Sequence, residues 1–160
     1  MEKQNLLSES YIQTNEEKYQ RGNHCVGVSM WEFEWCPKYR YRMMKNPEKR
    51  ALVEACIRRA ATCWRIKIIE INVQPNHVHL TAQIPMDMTP SSALHKLKGN
   101  SSKKIFEMVP NFGLRYRKGH FWSRGKFAAS VGFISVEVAN DYVRNQDKHH
   151  NTIWIVEKTL

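Results

Sequence analysis

No stretch of eighteen apolar residues occurs in the 160-residue chain, so no membrane-spanning helix is expected. The first twenty residues, Met1 to Gln20, lack the apolar core of a signal peptide. The expected location is therefore the cytoplasm. None of the four cysteines (25, 36, 56 and 63) forms a CxxC pair. A zinc site built on them has poor spacing, and reduced structural thiols are expected. Acid is also scarce: 15 Asp and Glu face 25 Lys and Arg, a net charge of +10. That excess on a small domain makes a polyanion the leading partner. It does not distinguish DNA from RNA or an acidic membrane surface.

What is present suits one compact domain, with an apolar fraction of 42%. Residues 1–20 have no sustained apolar period and read as a polar arm, residues 21–150 as the domain, and 151–160 as a short tail. Residues 24–36 are aromatic and β-branched and predict a first strand, with a change of phase near Met30 and Trp31. Asn46-Pro47-Glu48 opens a helix reaching about Trp64, with Leu52, Cys56, Ala60, Cys63 and Trp64 as its apolar stripe. An isoleucine-rich strand over 65–74 shifts phase between Ile68 and Ile69. Thr89-Pro90-Ser91 starts a second helix to about Met108, with Leu94, Leu97, Ile105 and Met108 as its core face and a kink expected at Gly99-Asn100. A basic loop over 110–120 and a last strand over 121–133 follow. Ser135 then caps a final helix carrying Val136, Ala139 and Val143.

Between the isoleucine strand and the second helix lies Gln74-Pro75-Asn76-His77-Val78-His79-Leu80-Thr81-Ala82-Gln83-Ile84. After the Pro-Asn turn signal, apolar and polar residues alternate strictly, which predicts a strand with one buried face and a hairpin to the strand before it. His77 and His79 share the polar face, about 7 Å apart along the strand. Both reach one divalent cation or one phosphate.

The order β-α-β-β-α-β-α matches a ferredoxin-like, RRM-like α+β layout: an antiparallel sheet with both crossover helices on one face. With Val78, Leu80, Ala82 and Ile84 against those helices, the histidines look out of the opposite face. The final helix is the natural cover for that face, and it carries Tyr142 and Gln146 four residues apart, on one stripe. Phosphodiester transfer fits this set. A tyrosine phenolate attacks phosphorus and conserves the bond energy in a phosphotyrosine. A cation on His77, His79 and Gln146 polarises the phosphoryl oxygen, with Mg²⁺ or Mn²⁺ as the candidates. Nucleic-acid contacts are expected from Lys38, Arg40 and Arg42, which alternate with Tyr39 and Tyr41. Further contacts are expected from Lys96, Lys98, Lys103 and Lys104 on the second helix and from Arg115 and Arg117 in the basic loop.

Four stretches carry a resemblance: Trp35-Cys36-Pro37-Lys38-Tyr39-Arg40, Asn76-His77-Val78-His79-Leu80, Ser130-Val131-Gly132, and Asp141-Tyr142-Val143-Arg144-Asn145-Gln146. Together they resemble the single-tyrosine transposases of the His-hydrophobic-His superfamily, the TnpA-like enzymes of insertion sequences, over residues 24 to about 147. The resemblance implies an enzyme that binds a hairpin at an element end in single-stranded DNA and cleaves one strand with Tyr142. Cleavage would leave a 5′-phosphotyrosine and a free 3′-OH, after which strands are rejoined. It also implies His77, His79 and Gln146 as metal ligands, and a hinge over 125–135. A homodimer is implied as well, in which the tyrosine helix serves either its own or its partner's histidines. Domesticated relatives acting on repeated extragenic palindromes share these motifs. Two rival readings stand beside the enzyme. One is a noncatalytic single-stranded nucleic-acid-binding module; the other is a metal-binding or hydrolytic enzyme acting on small phosphates.

Overall fold

The structure, a computed structural model, describes residues 19–132 and Asn140. Six strands and three α-helices occur among them: β1 (Gln20–Arg21), β2 (Val26–Gly27), β3 (Met30–Trp35), α1 (Pro47–Cys63), β4 (Lys67–Val73), β5 (Val78–Gln83), α2 (Pro90–Met108), α3 (Phe112–Arg115) and β6 (Phe127–Ser130). The last four strands to pair, β3 to β6, form one antiparallel sheet in the order β4-β5-β3-β6. That order, with α1 and α2 as the two crossovers, is the ferredoxin-like α+β arrangement predicted from the element sequence. β1 and β2 pair only with each other, and the side chain of Gln20 donates to the Ile84 carbonyl at 3.1 Å.

Period-two burial decides which face of the sheet holds the core. On β3, Phe33 and Trp35 are buried and Glu32 is exposed; on β5, Val78, Leu80 and Ala82 are buried while His79 and Thr81 are less covered. The buried faces receive α1 through Val53, Ile57 and Ala61, and α2 through Leu94, Leu97 and Ile105. Burying these side chains, at roughly 1.5–3 kcal/mol for each large one, is what holds the helices to one side of the sheet. Phe33 sits at the centre of this layer and is fully buried. Replacing it with alanine is expected to lower stability by about 3–5 kcal/mol, read as a lower urea midpoint at unchanged slope.

Local chemistry sets the helix starts. The Asn46 side chain accepts from Glu48 N at 2.8 Å, and Thr89 Oγ1 accepts from Ser92 N at 3.2 Å, with Pro47 and Pro90 opening the first turns. The phase change in the isoleucine strand is a β-bulge between Ile68 and Glu70 against β5.

Several expected elements differ from those observed. The first strand over 24–36 is divided: residues 26–27 pair with β1, and the central strand begins only at Met30. α2 runs through Gly99 and Asn100 without interruption, because neither residue has to change its helical conformation to be accommodated on the outer side of the helix. Met108 and Cys63 are exposed, since both lie at the last residue of their helices, past the sheet. Val53, Ile57 and Ala61 complete the α1 face instead. The last strand spans only Phe127–Ser130. Ahead of it, Phe121 and Trp122 fold into the core, with Trp122 Nε1 donating to Ser101 Oγ at 2.9 Å and an isolated bridge to Pro37. The basic loop contains α3 and buries Phe112 and Tyr116. The arm up to residue 18, the final helix apart from Asn140, and the tail over 151–160 lie outside the described residues. No helix of the described residues is long and apolar enough to cross a membrane.

Candidate functional site

The face of the sheet opposite the helices carries the two histidines. Directly opposed residues on antiparallel strands point to the same side, so the pairing register writes this face in rows. One row reads Asn72, His79, Glu34, Phe127 across β4, β5, β3 and β6; the next reads Glu70, Thr81, Glu32, Ala129. His77 precedes β5, in the turn closed by the hydrogen bond from Gln74 N to the His77 carbonyl at 2.8 Å. The imidazoles of His77 and His79 lie with ring centroids 4.9 Å apart and planes at 85°. Both are partly buried.

Asn76 has a further role beyond the turn that the sequence signalled. Its Oδ1 lies 2.7 Å from His77 Nδ1. An amide oxygen only accepts, so the tautomer that makes this contact a hydrogen bond has Nδ1 as donor and leaves Nε2 to face a ligand. That is the tautomer a cation ligand needs, held by a neighbouring carbonyl oxygen. The turn geometry that makes this contact could be read from Pro75-Asn76; the direction of the amide could not.

Among the described residues, no three His, Cys, Asp or Glu side chains are close enough to hold one metal ion. The described part of the chain therefore brings together two imidazoles. Tyr142 and Gln146, the expected nucleophile and third ligand, lie outside the described residues.

The predicted basic contacts do not form one surface. Lys38 and Arg115 lie against a ladder of rings in which Tyr39, Tyr41 and Tyr116 follow at 5.3 and 5.9 Å. Lys38 Nζ lies 5.1 Å from the Tyr39 ring centre and the Arg115 guanidinium 5.0 Å from that of Tyr41. Tyr39 and Arg40 hold φ values of 64° and 53°, left-handed backbone that costs energy for non-glycine residues. The resulting turn leaves Tyr39 64% exposed. Arg42 and Arg117 are exposed nearby in sequence. The Tyr116 hydroxyl donates to the Lys38 carbonyl at 3.3 Å, and burial pushes its pKa above the ordinary phenol value.

The four lysines of α2 divide by role. Lys96 lies over the Trp64 ring at 3.5 Å, and Lys104 pairs with Glu107 at 2.8 Å. Lys98 donates to the carbonyls of Ser123 and Gly125 at 2.6 and 3.1 Å. Its ammonium is half-buried, and desolvation, with Lys126 nearby, holds its pKa below the usual lysine range. Lys98 therefore tethers the 123–125 loop to the helix. Lys103 alone of the four remains exposed and without such a partner. It lines a groove of about 890 Å³ between α2 and residues 119–126, together with Lys38, Lys98, His120, Arg124 and Lys126. Glu107 is the one acid along it. His120, Arg124 and Lys126 were not expected as contacts, because they sit in the loop and strand end rather than in a charge run. The packing of Phe121 and Trp122, the Lys98 tether and the Lys126 bond to Ser91 bring them to α2.

Taken together, the structure is a ferredoxin-like α+β protein with His77 and His79 at the start of a central strand and a basic groove along α2. A family model described as "Transposase IS200 like" matches residues 25–146. The chain belongs to that IS200-like transposase family. It is 32% identical over 112 residues to the transposase for insertion sequence element IS200 of Salmonella typhimurium, covering 70% of this chain and 72% of that protein. It is 26% identical over 112 residues to the ISDra2 transposase TnpA of Deinococcus radiodurans, over 70% and 79% of the two chains. Among solved structures, a candidate transposase from Deinococcus radiodurans R1 superposes with a TM-score of 0.64 and 21% identity, covering 79% of this chain and 97% of the other. That likeness confirms the fold.

Proposed function

We propose that this transposase acts on hairpin-bearing single-stranded DNA, with Tyr142 as nucleophile and His77, His79 and Gln146 as the ligands of Mg²⁺ or Mn²⁺. The observation that carries the reading is the pair of imidazoles on the face of the sheet opposite the helices, 4.9 Å apart, with Asn76 Oδ1 2.7 Å from His77 Nδ1. Two imidazole nitrogens on this sheet face suit a cation that must also contact an anionic substrate. When bound, such a cation supplies charge stabilisation at the scissile phosphate.

The residues of the chain do the rest. The Tyr142 oxygen attacks phosphorus, the bond from phosphorus to the 3′ oxygen breaks, and the tyrosine keeps the 5′ phosphate. The departing oxygen takes up a proton and leaves as a free 3′-OH. Rejoining reverses the step with a different 3′-OH, so no external energy source is needed. The homodimer implied by the sequence resemblance supplies two such sites, and exchange of the tyrosine helix between subunits would place each Tyr142 beside its partner's histidines.

A gel for covalent protein–DNA adduct, with labelled single-stranded hairpin DNA and with or without Mn²⁺, tests the reading. A Mn²⁺-dependent adduct supports it. Binding without any adduct would leave the protein a noncatalytic single-stranded nucleic-acid binder, the second reading, which the exposed Tyr39 beside Lys38 favours.

The groove along α2 and the 119–126 segment is the proposed track for the DNA backbone. Arg124→Ala and Lys103→Ala, both on exposed residues, are each expected to weaken single-stranded DNA binding. Each should also make the log–log salt slope shallower by about 0.7. Unchanged slopes in both variants, measured by anisotropy over a salt series, would place the backbone elsewhere.

A further inference from the structure

The register places a carboxylate beside the histidines that the sequence motifs do not include. Glu34 on β3 is directly opposite His79 on β5. Its neighbours Phe33 and Trp35 are buried in the core, so Glu34 projects onto the same open face as His79. Directly opposed residues of an antiparallel pair have Cβ atoms about 4.5–5.5 Å apart, within the reach of a glutamate side chain toward an ion on the neighbouring imidazole. Glu34 is partly buried, and among the described residues no hydrogen bond or ion pair engages its carboxylate. The other acids of the face, Glu32 and Glu70, lie one row further along, each opposite Thr81.

We infer that Glu34 is an additional oxygen ligand of the cation site, facing the ion held by His77 and His79 directly or through one bound water. This rests on the reading of the two histidines as cation ligands. Two imidazoles and an amide are all neutral and favour no hard cation in particular. One carboxylate changes both properties: it adds a negative charge against the cation, and it shifts preference toward Mg²⁺ and Mn²⁺, which take oxygen ligands, and away from metals content with nitrogen. No three such groups converge among the described residues, so this role requires the Glu34 side chain to turn toward the histidines.

The test is direct metal binding by the full chain without DNA, so that it does not depend on cleavage. Free Mn²⁺ is followed by its electron paramagnetic resonance signal, and Co²⁺ by its visible absorption. Glu34→Gln is expected to weaken Mn²⁺ about tenfold and Co²⁺ by no more than about threefold. Glu34→Asp should recover part of the Mn²⁺ affinity, and Glu32→Gln, one row away, should change it less than about twofold. His77→Ala should weaken both metals strongly. If His77→Ala does so while Glu34→Gln binds Mn²⁺ like the unaltered protein, the histidine site stands and the role of Glu34 is overturned. Equal losses of Mn²⁺ and Co²⁺ in Glu34→Gln, signalling general disruption of the face, overturn it as well. Indifference of both metals to His77→Ala overturns the inference and the histidine site together.

Discussion

Tyr142→Phe is expected to abolish the covalent protein–DNA adduct and to lower strand cleavage by on the order of 10⁴-fold or more. The substitution removes one oxygen atom and retains the ring. The proposed nucleophile is lost with little change in side-chain volume. Hairpin binding, proposed above to use the basic groove, should stay within about twofold, since the substitution removes no charge. This split between lost chemistry and retained binding is the signature to measure, by adduct gel and anisotropy on the same preparations. An undiminished adduct in Tyr142→Phe would sink the assignment of the nucleophile. It would direct attention to Tyr39, the described tyrosine held out to solvent by left-handed backbone.

His77→Ala and His79→Ala are expected to reduce cleavage by about 10²–10³-fold each at fixed Mn²⁺, with binding of the hairpin strand changed only a few-fold. The magnitude follows from losing several kcal/mol of charge stabilisation at the scissile phosphate, at a factor of ten per 1.4 kcal/mol. The two variants should not add in the double substitution, because removing either imidazole already empties the shared site. Raising Mn²⁺ should restore part of the activity of each single variant and little of the double one. Additive losses, or single variants that ignore the Mn²⁺ concentration, would mean that the imidazoles act separately, for example as phosphate donors. His79 has a further consequence for stability. Its strand neighbours Val78 and Leu80 are buried, but its own ring is on the open face. Truncation there is expected to cost little folding free energy, which keeps the kinetic result interpretable.

The basic residues show how far charge patterning reaches. Read along the chain, Lys96, Lys98, Lys103 and Lys104 look like one cationic stripe. In three dimensions a lysine is as often a structural donor as a phosphate contact. Lys98 spends its ammonium on two loop carbonyls, Lys96 on the face of Trp64, and Lys104 on Glu107. Each of these partners is contributed by a turn of chain that sequence proximity does not reveal, apart from Glu107, three residues along the same helix. Conversely, Arg124 and Lys126 gain their place in the groove from a loop whose shape follows the burial of Phe121 and Trp122.

The sequence by itself determined the alternation that makes β5, the proline and capping residues that start α1 and α2, and the bulge in β4. It also determined the element order that allows a ferredoxin-like sheet and the outward direction of His77 and His79. All of these are local: period two, period 3.6 and capping act over a few residues, so they can be read from neighbours in the chain. Only the tertiary structure decided which residues stand beside the histidines. Strand pairing joins residue 34 to residue 79 and residue 72 to residue 79. A shift of one residue in either register would send Glu34 or Asn72 to the opposite face. That register is fixed by the packing of Phe33, Trp35, Val78 and Leu80 against the helices, a long-range balance of buried surface that no short stretch of sequence contains.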